Sequence, residues 1–541
     1  MSHRRSGQAI LKGTLVLTAA GIIVKTIGSL NWVILSRVLG GEGMGLYQMA
    51  YPIYLLALSV SSAGIPVAVS IITAERVAGQ DYRGARRVFR VAVWLLAATG
   101  ATFSLLMYFG AAWLVEERYI RDARAYYSLV ALSPAIFLVT LLAAFRGYLQ
   151  GWQIMTPTAL SQVGEQLLRV VTMLVFATFL ASRGVEFTAA GATFGAAPGA
   201  LAGLLIMLFF YWRHRARLSR DAAAPGPAPV APAAGIIRRI LALSLPISAS
   251  SIMLPIVANL DLLIVPRRLE AAGYSVAAAT EQFGYLAGMA VPLVSLATVL
   301  TGALATSIVP AISEACARGD RERLYRRTAA GFRLAGLVTL PASAGIYILA
   351  EPLTTMLYHA PGAAPAVETL AFSIFFLGIH QVSTAILQGM GRTLVPAVNM
   401  LLAAAVKVGL NWTLTAVPSL GITGAAWATV ADTVLAALLN MYIIRRHTSF
   451  SLDLSALLKS ACSAAVMGAA VFGTHRFIAT AAHSNTLATA VAIGIGIGVY
   501  GLAMLSVGGI RARDIRMVPL AGEFLLKILV AFRLLKHNSA D

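Results

Sequence analysis

Charged side chains are scarce in this sequence: Asp, Glu, Lys and Arg make up 12% of the 541 residues, whereas 58% are hydrophobic. A water-soluble protein of this length needs a more polar exterior, so a soluble enzyme or binding domain is excluded. The apolar residues occur in runs of about 20, the length of helix that crosses the hydrocarbon core of a bilayer. The composition therefore predicts an integral membrane protein.

Cysteine is almost absent too, and Cys316 and Cys462 lie in separate segments without the spacing of a disulfide framework or a metal site. The sequence also lacks a phosphate-binding loop and a nucleophile motif, and His380 is an isolated histidine within an apolar run. These absences argue against an enzyme and against a pump that hydrolyses ATP by itself. We expect no catalytic residue, no metal site and no cofactor.

Acidic residues are few: Lys and Arg outnumber Asp and Glu 42 to 22, which gives a formal net charge of +20. In a soluble protein this balance would indicate a nucleic-acid partner. Here the bases lie in short segments between apolar runs, as they do in the cytoplasmic loops of membrane proteins. We therefore expect membrane lipids as partners and no nucleic acid.

The apolar runs and the charged breaks between them predict about fourteen transmembrane helices. Helices are expected because such runs must satisfy their own backbone groups in lipid. The short basic N-terminus predicts a cytoplasmic tail rather than a cleaved signal peptide. The predicted spans are 13–36, 47–73, 91–115, 126–149, 158–181, 187–212, 239–265, 282–310, 329–357, 367–390, 394–416, 421–444, 456–480 and 485–509.

The distribution of Lys and Arg predicts the orientation. With the N-terminus inside and the loops alternating, most bases fall in cytoplasmic segments, which is the positive-inside pattern. This pattern favours an even number of spans, with both termini in the cytoplasm. The bases assigned to outer loops are Arg37, Arg118, Arg121, Arg124, Arg183, Arg267, Arg268 and Arg476.

The two halves of the sequence repeat at an offset of about 238 residues. Ile136-Phe137 recurs as Ile374-Phe375, and Leu149-Gln150-Gly151 recurs as Leu387-Gln388-Gly389. Two six-helix lobes in the same orientation, related by a pseudo-two-fold axis along the membrane normal, would hold a substrate between them. The predicted segments are a cytoplasmic tail (1–12), a first lobe (13–212), a flexible Pro/Ala-rich cytoplasmic linker (213–238), a second lobe (239–445), two more helices (446–510) and an amphipathic cytoplasmic tail (511–541).

Charged groups at membrane depth cost about 2.5–3.5 kcal/mol each on insertion scales, so they face a cavity or a partner. Lys25 lies on a polar face of the first helix with no acidic neighbour one turn away, and Asn399, Lys407 and Asn411 share one face of the eleventh. A cavity with surplus cations suits an anionic cargo such as a pyrophosphate. The substrate-binding candidates are Lys25, Arg37, Arg169, Lys407, Glu165, Gln150 and Gln388, and the coupling-ion candidates are Asp261 and Asp432.

Several of these candidates have a structural alternative. Glu165 and Arg169 are four residues apart and can form an ion pair within one helix. Gln150 and Gln388 precede glycines near helix ends and can cap those helices. Asp432 can bond a neighbouring helix in the membrane.

Three segments resemble polysaccharide transporters of the multidrug/oligosaccharidyl-lipid/polysaccharide exporter superfamily: Lys25–Pro52, Arg146–Gln166 and Ala305–Ala315. Within it, the chain is similar to the family of stage V sporulation protein B and MurJ-like lipid II flippases over nearly its whole length. The resemblance implies an all-α membrane fold, two six-helix lobes plus two C-terminal helices, and movement of lipid-linked cell-wall precursors across the bacterial cytoplasmic membrane. Gram-negative lipid II flippases line their cleft with several arginines. The only counterparts in this chain are Lys25 and Arg37, in or beside the first helix.

These patterns predict a flippase for a lipid-linked anionic saccharide that works by alternating access, driven by membrane potential or by a proton or sodium gradient. One alternative is a cation-coupled drug or metabolite antiporter of the same fold, in which Asp261, Glu165 or Asp432 would titrate or bind sodium. Another is a non-transporting scaffold in envelope or spore-cortex assembly, for which the basic tail would matter and Lys25 would not. The sequence leaves the oligomeric state open, and a monomer suffices for all three functions.

Overall fold

The computed structural model describes residues 2–62, 64–223, 232–448 and 453–509. Within these ranges every regular element is helical. Twelve stretches of the described residues are long and apolar enough to cross a membrane. The predicted all-α membrane architecture is therefore confirmed, whereas the amphipathic tail predicted at 511–541 lies outside the described residues.

The chain divides into two compact units, Met1–Gly284 and Tyr285–Asp541. A 3-10 turn, Ala181–Arg183, lies between two helices of the first unit. The helices of this unit are α1 (Ser2–Ser62), α2 (Ile65–Ala78), α3 (Tyr82–Glu116), α4 (Ala125–Gly151), α5 (Thr156–Leu180), α6 (Val185–Phe194), α7 (Ala196–Ala223), α8 (Ala233–Ala271) and α9 (Val276–Phe283).

The second unit begins within a π-helical segment, Gly284–Ala290. A 3-10 turn, Pro361–Ala363, lies between two of its helices. The helices are α10 (Val291–Ala297), α11 (Val299–Ala317), α12 (Arg321–Ile348), α13 (Ala350–Tyr358), α14 (Ala364–Gly389), α15 (Leu394–Leu414), α16 (Ile422–Thr448), α17 (Leu454–Ala482) and α18 (Asn485–Ser506).

The first two spans have different boundaries from those predicted, because the helical backbone is interrupted at two glycines. Helix α1 continues from the predicted tail through the first span and into the second, and it changes direction at Gly40, where φ is 65°. A second break falls at Gly64, where φ is 74° and an added Cβ would lie 2.5 Å from the carbonyl oxygen of Ser244. Only glycine adopts this backbone conformation without strain, so the span predicted at 47–73 is two helices.

The span predicted at 282–310 is also interrupted. It contains the π-helical segment, the short α10 with Pro292 near its start, and α11, which begins after the non-helical Thr298. Proline lacks the N–H that a continuous α-helix needs at this point, which accounts for a break in the ladder here. This interruption lies beside the boundary between the two units.

The linker predicted at 213–238 is shorter than the sequence indicated. Helix α7 continues to Ala223 and α8 starts at Ala233, so only 224–231 lie outside the described residues in this region. No proline occurs between 213 and 224, so nothing stops α7 before the Pro-rich run. Pro232 then occupies the N-cap position of α8 with an extended backbone.

Helix α8, which the repeat assigned to the second lobe, belongs to the first compact unit. Ile236 and Ile240 are buried in the same apolar core as α3, α4 and α7. Further along α8, the Nδ2 of Asn259 donates to the carbonyl oxygen of Pro52 at 2.9 Å. The apolar face of α8 is thus buried against helices of the first unit. The predicted lobe boundary at 213–238 stays a prediction.

The internal repeat has a counterpart in the local structure of each unit. Asp81 caps α3 by accepting a hydrogen bond from the Gly84 amide at 2.8 Å, and Asp320 caps α12 by accepting one from the Arg323 amide at 2.8 Å. Asp320 follows Asp81 by 239 residues, close to the offset of the sequence repeat, so residues at corresponding positions perform the same structural task in both units.

The glycines that end α4 and α14 show the same correspondence. An added Cβ at Gly151 would lie 2.6 Å from the Cβ of Thr73 on α2, and one at Gly389 would lie 2.8 Å from the Cβ of Ile312 on α11. Both positions need a residue without a side chain because a neighbouring helix passes close by. The symmetry axis and the count of fourteen spans stay predictions.

Candidate substrate-binding residues

Three charged side chains on α4 and α5 form one cluster, called here the membrane triad: Arg146, Glu165 and Arg169. Glu165 accepts hydrogen bonds from Arg146 at 2.9 Å and from Arg169 at 2.5 Å, one on each carboxylate oxygen. The Nε of Arg146 also donates to the Oγ of Ser161 at 2.9 Å. The ion pair predicted from the spacing of Glu165 and Arg169 is present. Arg146, near the end of the span predicted at 126–149, adds a second guanidinium.

Two glycines of α7 allow the triad to sit between closely packed helices. An added Cβ at Gly199 would lie 2.7 Å from the Cβ of Arg169, and one at Gly203 would lie 3.3 Å from the Cβ of Glu165. Small residues at these positions let helix backbones approach in a membrane. The side chains of Glu165 and Arg169 are consequently only 13% and 21% exposed.

The membrane triad carries a surplus positive charge. One carboxylate faces two guanidinium groups, so a net charge of about +1 remains at membrane depth. The Nε of Arg169 is buried and has no hydrogen-bond partner within the described residues. Arg169 therefore keeps donor capacity that an anion could use.

Tyrosines of α1 lie in the neighbourhood of Arg169: Tyr47, Tyr51 and Tyr54. Tyr47 stacks on Tyr51 with ring centroids 5.4 Å apart. Trp32 lies at the edge of this aromatic group, with its ring centroid 5.7 Å from that of Tyr47. The surplus cation thus lies beside ring systems that combine apolar faces with hydroxyl groups.

Helix α1 also places the predicted cation Lys25 in the first unit. The Lys25 side chain is exposed and makes no hydrogen bond or ion pair within the described residues. One turn later, an added Cβ at Gly28 would lie 3.3 Å from the Nε2 of Gln166 on α5, so α1 and α5 are close at this level. Arg37 is exposed as well, and it lies near the Gly40 bend.

In the second unit, the predicted stripe on α15 is a buried face. Lys407 is 6% exposed, and Asn399 and Asn411 are buried with it. Asn399 donates to the Oδ1 of Asn440 on α16 at 2.8 Å, and Asn440 donates to the Oγ1 of Thr384 on α14 at 3.1 Å. A polar network thus joins α14, α15 and α16, with Asn440 at its centre.

The two candidate glutamines occupy less central places. Gln150 is half-buried and Gln388 is exposed, and neither side chain makes a hydrogen bond within the described residues. The turns that end α4 and α14 are closed by backbone amides instead, so side-chain capping is not observed. A different glutamine, Gln381, accepts from Thr301 at 2.6 Å and so joins α14 to α11.

The predicted coupling-ion candidates are not brought together within either unit. Asp261 is half-buried on α8 in the first unit, and Asp432 is half-buried on α16 in the second. The part of the chain that the structure describes contains no group of three or more His, Cys, Asp or Glu residues placed to hold a metal ion.

A second charged cluster in the first unit, called here the loop cluster, was missed by the sequence analysis. Arg121, in the loop between α3 and α4, donates from Nε to Glu270 at the end of α8 at 2.7 Å. Arg124 in the same loop pairs with Glu42 at 2.7 Å and with Asp122 at 2.8 Å. These partners lie far apart in sequence, so no local spacing indicated the cluster.

Asp122 is the buried centre of the loop cluster, with 3% exposure. It accepts hydrogen bonds from Arg124 and from the hydroxyl of Thr280 on α9, the latter at 2.8 Å. Burial by itself would raise the pKa of Asp122, but these hydrogen bonds outweigh it and hold the pKa below its ordinary value. The carboxylate therefore stays ionised and joins the loop to α9.

Comparisons with known proteins agree with this fold. The chain is 29% identical to stage V sporulation protein B of Bacillus subtilis (strain 168) over 96% of its own length and 99% of that protein. It is 26% identical to the lipid II flippase MurJ of the same organism over 82% of its length and 84% of that protein. A multidrug resistance MATE family transporter of the MOP superfamily, in an inward-facing conformation, matches with a TM-score of 0.67 at 18% identity, over 80% of this chain and 98% of that one.

The many apolar helices of the described residues define a multi-pass membrane protein. The chain belongs to the polysaccharide biosynthesis protein family, whose profile matches residues 10–314, more than half of the sequence. A MatE profile matches residues 284–413, and the resemblance to the MOP superfamily is confirmed. Its relatives include a lipid II flippase, which agrees with the expectation that the chain is not an enzyme.

Proposed function

We propose that the protein is a flippase that moves a lipid-linked anionic saccharide across the bacterial cytoplasmic membrane by alternating access. The cargo would be lipid II or a related undecaprenyl-pyrophosphate-linked precursor of the cell wall or of a polysaccharide. The observation that carries the proposal is the surplus cation of the membrane triad, beside the tyrosines of α1. The relation to a lipid II flippase over most of the chain supports the same cargo class.

The charge balance favours an anionic headgroup. A pyrophosphate brings negative charge into a region of low dielectric constant, where it needs nearby cations and N–H donors. Arg169 has unused donor capacity, and Lys25 is exposed on the same unit. In this proposal, Arg169 and Lys25 contact the headgroup, and Arg146 and Glu165 fix the position of Arg169.

The competing antiporter function would need an available carboxylate at membrane depth. Glu165 does not provide one, because each of its oxygens accepts a hydrogen bond from a guanidinium. Both oxygens of this carboxylate are already engaged by cations, so neither is available to coordinate sodium. Asp261 and Asp432 remain proposed sites for a coupling ion, and membrane potential is the other proposed driving force.

The proposal includes two rocking lobes, 13–212 and 239–445, with both termini in the cytoplasm. Alternating access requires helices that bend, and the interruptions at Gly40, Gly64 and the π-helical segment are suited to this. A bend at a glycine costs little because no side chain opposes the change in backbone angles.

Reconstitution in proteoliposomes tests the function directly. Labelled lipid II and lipid-linked teichoic and capsular precursors would be placed in the inner leaflet, and their appearance outside followed with an impermeant reagent. We expect at least one pyrophosphate-linked saccharide to become accessible faster than in empty liposomes. Ion-driven movement of cationic drugs without saccharide flipping would instead establish the antiporter, and no movement by folded protein would establish the scaffold.

A further inference from the structure

Helix α3 carries a row of bases at its start, called here the α3 stripe: Arg83, Arg87 and Arg90. Residues three or four positions apart share one face of a helix, so these side chains lie in line. Arg83 and Arg90 are exposed, and Arg87 is half-buried. The opposite face of α3, with Val88 and Phe89, is buried in the core of the first unit. The α3 stripe therefore points away from that core.

The face that carries the α3 stripe continues along the helix as an exposed apolar surface. Trp94 follows Arg90 by about one turn and is 76% exposed, and Leu105 and Phe109 are exposed further along. Trp113 is exposed near the other end of α3. The helix from Trp94 to Trp113 is about 28 Å long, close to the thickness of the hydrocarbon core. Exposed tryptophans at both ends of a span mark the two membrane interfaces.

The bases next to Trp94 consequently lie at the level of the lipid headgroups. Along the helix axis, Arg90 is about 6 Å and Arg87 about 10 Å outside Trp94. The headgroup layer is about 5–8 Å thick on each side of the hydrocarbon core, and long basic side chains extend to keep their charge at polar depth. Both guanidinium groups can therefore reach lipid phosphates.

The α3 stripe has no acid that balances it. Arg87 and Arg90 make no hydrogen bond or ion pair within the described ranges. The acids nearest in sequence are engaged by other arginines, in the pairs Arg76–Asp81 and Arg239–Glu75. Like charges one helical turn apart repel each other, so this row is unfavourable unless an anion lies beside it.

The corresponding helix of the second unit has its bases paired. At an offset of 239 residues, Arg83 corresponds to Glu322 and Arg87 corresponds to Arg326, and Glu322 forms an ion pair with Arg326. Three further arginines of this segment contact Glu314: Arg318, Arg323 and Arg327. A basic segment between spans can thus be built from paired arginines. The unpaired row on α3 indicates a purpose besides setting the orientation of the chain.

We propose that the α3 stripe binds the headgroup of an anionic phospholipid. The phosphate would lie against Arg87 and Arg90, with the acyl chains along the apolar face that begins at Trp94. In the predicted orientation this lipid belongs to the cytoplasmic leaflet. Guanidinium groups suit a phosphate because they donate two parallel hydrogen bonds as well as charge. The site goes beyond the proposed function, since it binds a membrane lipid on residues outside the membrane triad.

Quenching of tryptophan fluorescence tests the site in full-length protein in mixed micelles of detergent and lipid. The probes are phosphatidylglycerol, which is anionic, and phosphatidylcholine, which is zwitterionic, each with brominated acyl chains. The difference in quenching between the wild type and Trp94→Phe isolates the signal of Trp94. We expect phosphatidylglycerol to bind there several-fold more tightly than phosphatidylcholine, with a preference that falls as salt is added.

A pair of substitutions in the α3 stripe should remove most of this preference. Arg87→Gln combined with Arg90→Gln should lower it about fivefold for each arginine. Arg323→Gln combined with Arg326→Gln is the matched control, because it removes the same charge from the corresponding segment of α12, and it should keep the preference. Arg87→Lys combined with Arg90→Lys keeps the charge and should retain most of the preference, which tests the site even if the Gln variant fails to fold.

Four results would overturn the inference. An unchanged preference at Trp94 in the folded Gln variant would show that the α3 stripe only orients the chain, and an equal loss in the α12 control would show an effect of overall charge. Displacement of the lipid by inorganic phosphate, beyond that caused by sodium chloride of equal ionic strength, would identify a free anion as the ligand. Displacement by equimolar undecaprenyl pyrophosphate would assign the α3 stripe to the cargo.

Discussion

The membrane triad and the loop cluster are both groups of charged residues in the first unit, yet they are built differently. In the loop cluster, Glu42, Asp122 and Glu270 face two arginines, and Arg121 makes a two-pronged contact with Glu270. In the membrane triad, one carboxylate serves two arginines and the Nε of Arg169 remains without a hydrogen bond within the described residues. In the loop cluster, carboxylates balance the charge of both arginines. In the membrane triad, where we propose that cargo binds, positive charge is in surplus.

The difference lies in where each cluster is placed. The loop cluster joins the α3–α4 loop to α8 and α9, at a level the sequence assigns to the outer surface. Its two arginines and two glutamates are partly exposed, and water there lowers the cost of their charge, so pairing adds stability. At membrane depth an uncompensated cation is costly, and its presence indicates a function rather than a fold requirement.

The largest expected effect is the loss of Glu165. Glu165→Ala would leave Arg146 and Arg169 facing each other in a mostly buried site, which should cost about 3 kcal/mol or more. The yield of monodisperse protein from membranes and the thermal midpoint measure this loss. Exchanging Glu165 and Arg169 should not restore the yield, because the exchange sets a guanidinium against Arg146; full recovery would remove Arg146 from the triad.

A large effect on transport, with little effect on folding, is expected at Lys25. Lys25→Glu should abolish complementation of a flippase-depleted strain, because a carboxylate would repel the anionic headgroup in a region of low dielectric constant. Lys25→Arg should retain part of the activity, since the charge is kept. Abundance on immunoblots should stay near normal because Lys25 is exposed and makes no ion pair within the part of the chain that the structure describes. Full complementation by Lys25→Glu at normal abundance would contradict the anionic-cargo argument.

A moderate effect on stability is expected in the loop cluster. Glu270→Gln removes the charge that Arg121 contacts, and the pair is about 20% exposed, so the loss should be about 1–2 kcal/mol. Thermal unfolding in detergent measures it, with Glu322→Gln in an exposed surface pair as the control. A loss of stability in Glu270→Gln as large as that in Glu165→Ala would contradict the difference that we describe between the loop cluster and the membrane triad.

A smaller, pH-dependent effect is expected at Asp122. Because its pKa is lowered in the folded protein, the carboxylate adds stability above its unfolded pKa of about 3.9, and this is lost as pH falls towards the folded pKa. Asp122→Asn should therefore lower the thermal midpoint at pH 7 and lower it less near pH 3. A difference that stays constant over this range would show that the charge of Asp122 does not matter.

Labelling accessibility sharpens the assignment of the loop cluster to the outer surface. In a background without Cys316 and Cys462, both of which are exposed, cysteines would be introduced at Glu117, Arg220 and Arg318. An impermeant reagent should label the first position in intact cells and spare the other two. Glu117 is chosen because Arg121 is engaged by Glu270. The opposite labelling pattern would invert the topology.

Local patterns in the sequence predicted the features that depend on local geometry. The spacing of Glu165 and Arg169 on one helix gave their ion pair, and the stripe through Asn399 and Lys407 gave the buried face of α15. Arg146 was missed because it lies near the end of a span, where a base fits a cytoplasmic loop equally well. Its contact with Glu165 depends on the packing of α4 against α5, which spacing within one helix does not encode.

The loop cluster and the position of α8 were missed for a related reason. Arg121 and Glu270 are 149 residues apart, so their pairing follows from the three-dimensional path of the chain. The repeat assigned α8 to the second lobe by counting helices. The helices against which α8 is buried follow instead from contacts such as that of Asn259 with Pro52.

The most direct test compares one arginine from each cluster in the same flipping assay. Folded Arg169→Gln and folded Arg121→Gln would be reconstituted at equal protein amounts with the lipid-linked saccharide that the wild type moves. We predict that Arg169→Gln slows flipping at least about tenfold, since it removes a charge-assisted headgroup contact. Arg121→Gln should keep most of the wild-type rate per folded molecule. Normal flipping by Arg169→Gln together with a large loss in Arg121→Gln would contradict the account.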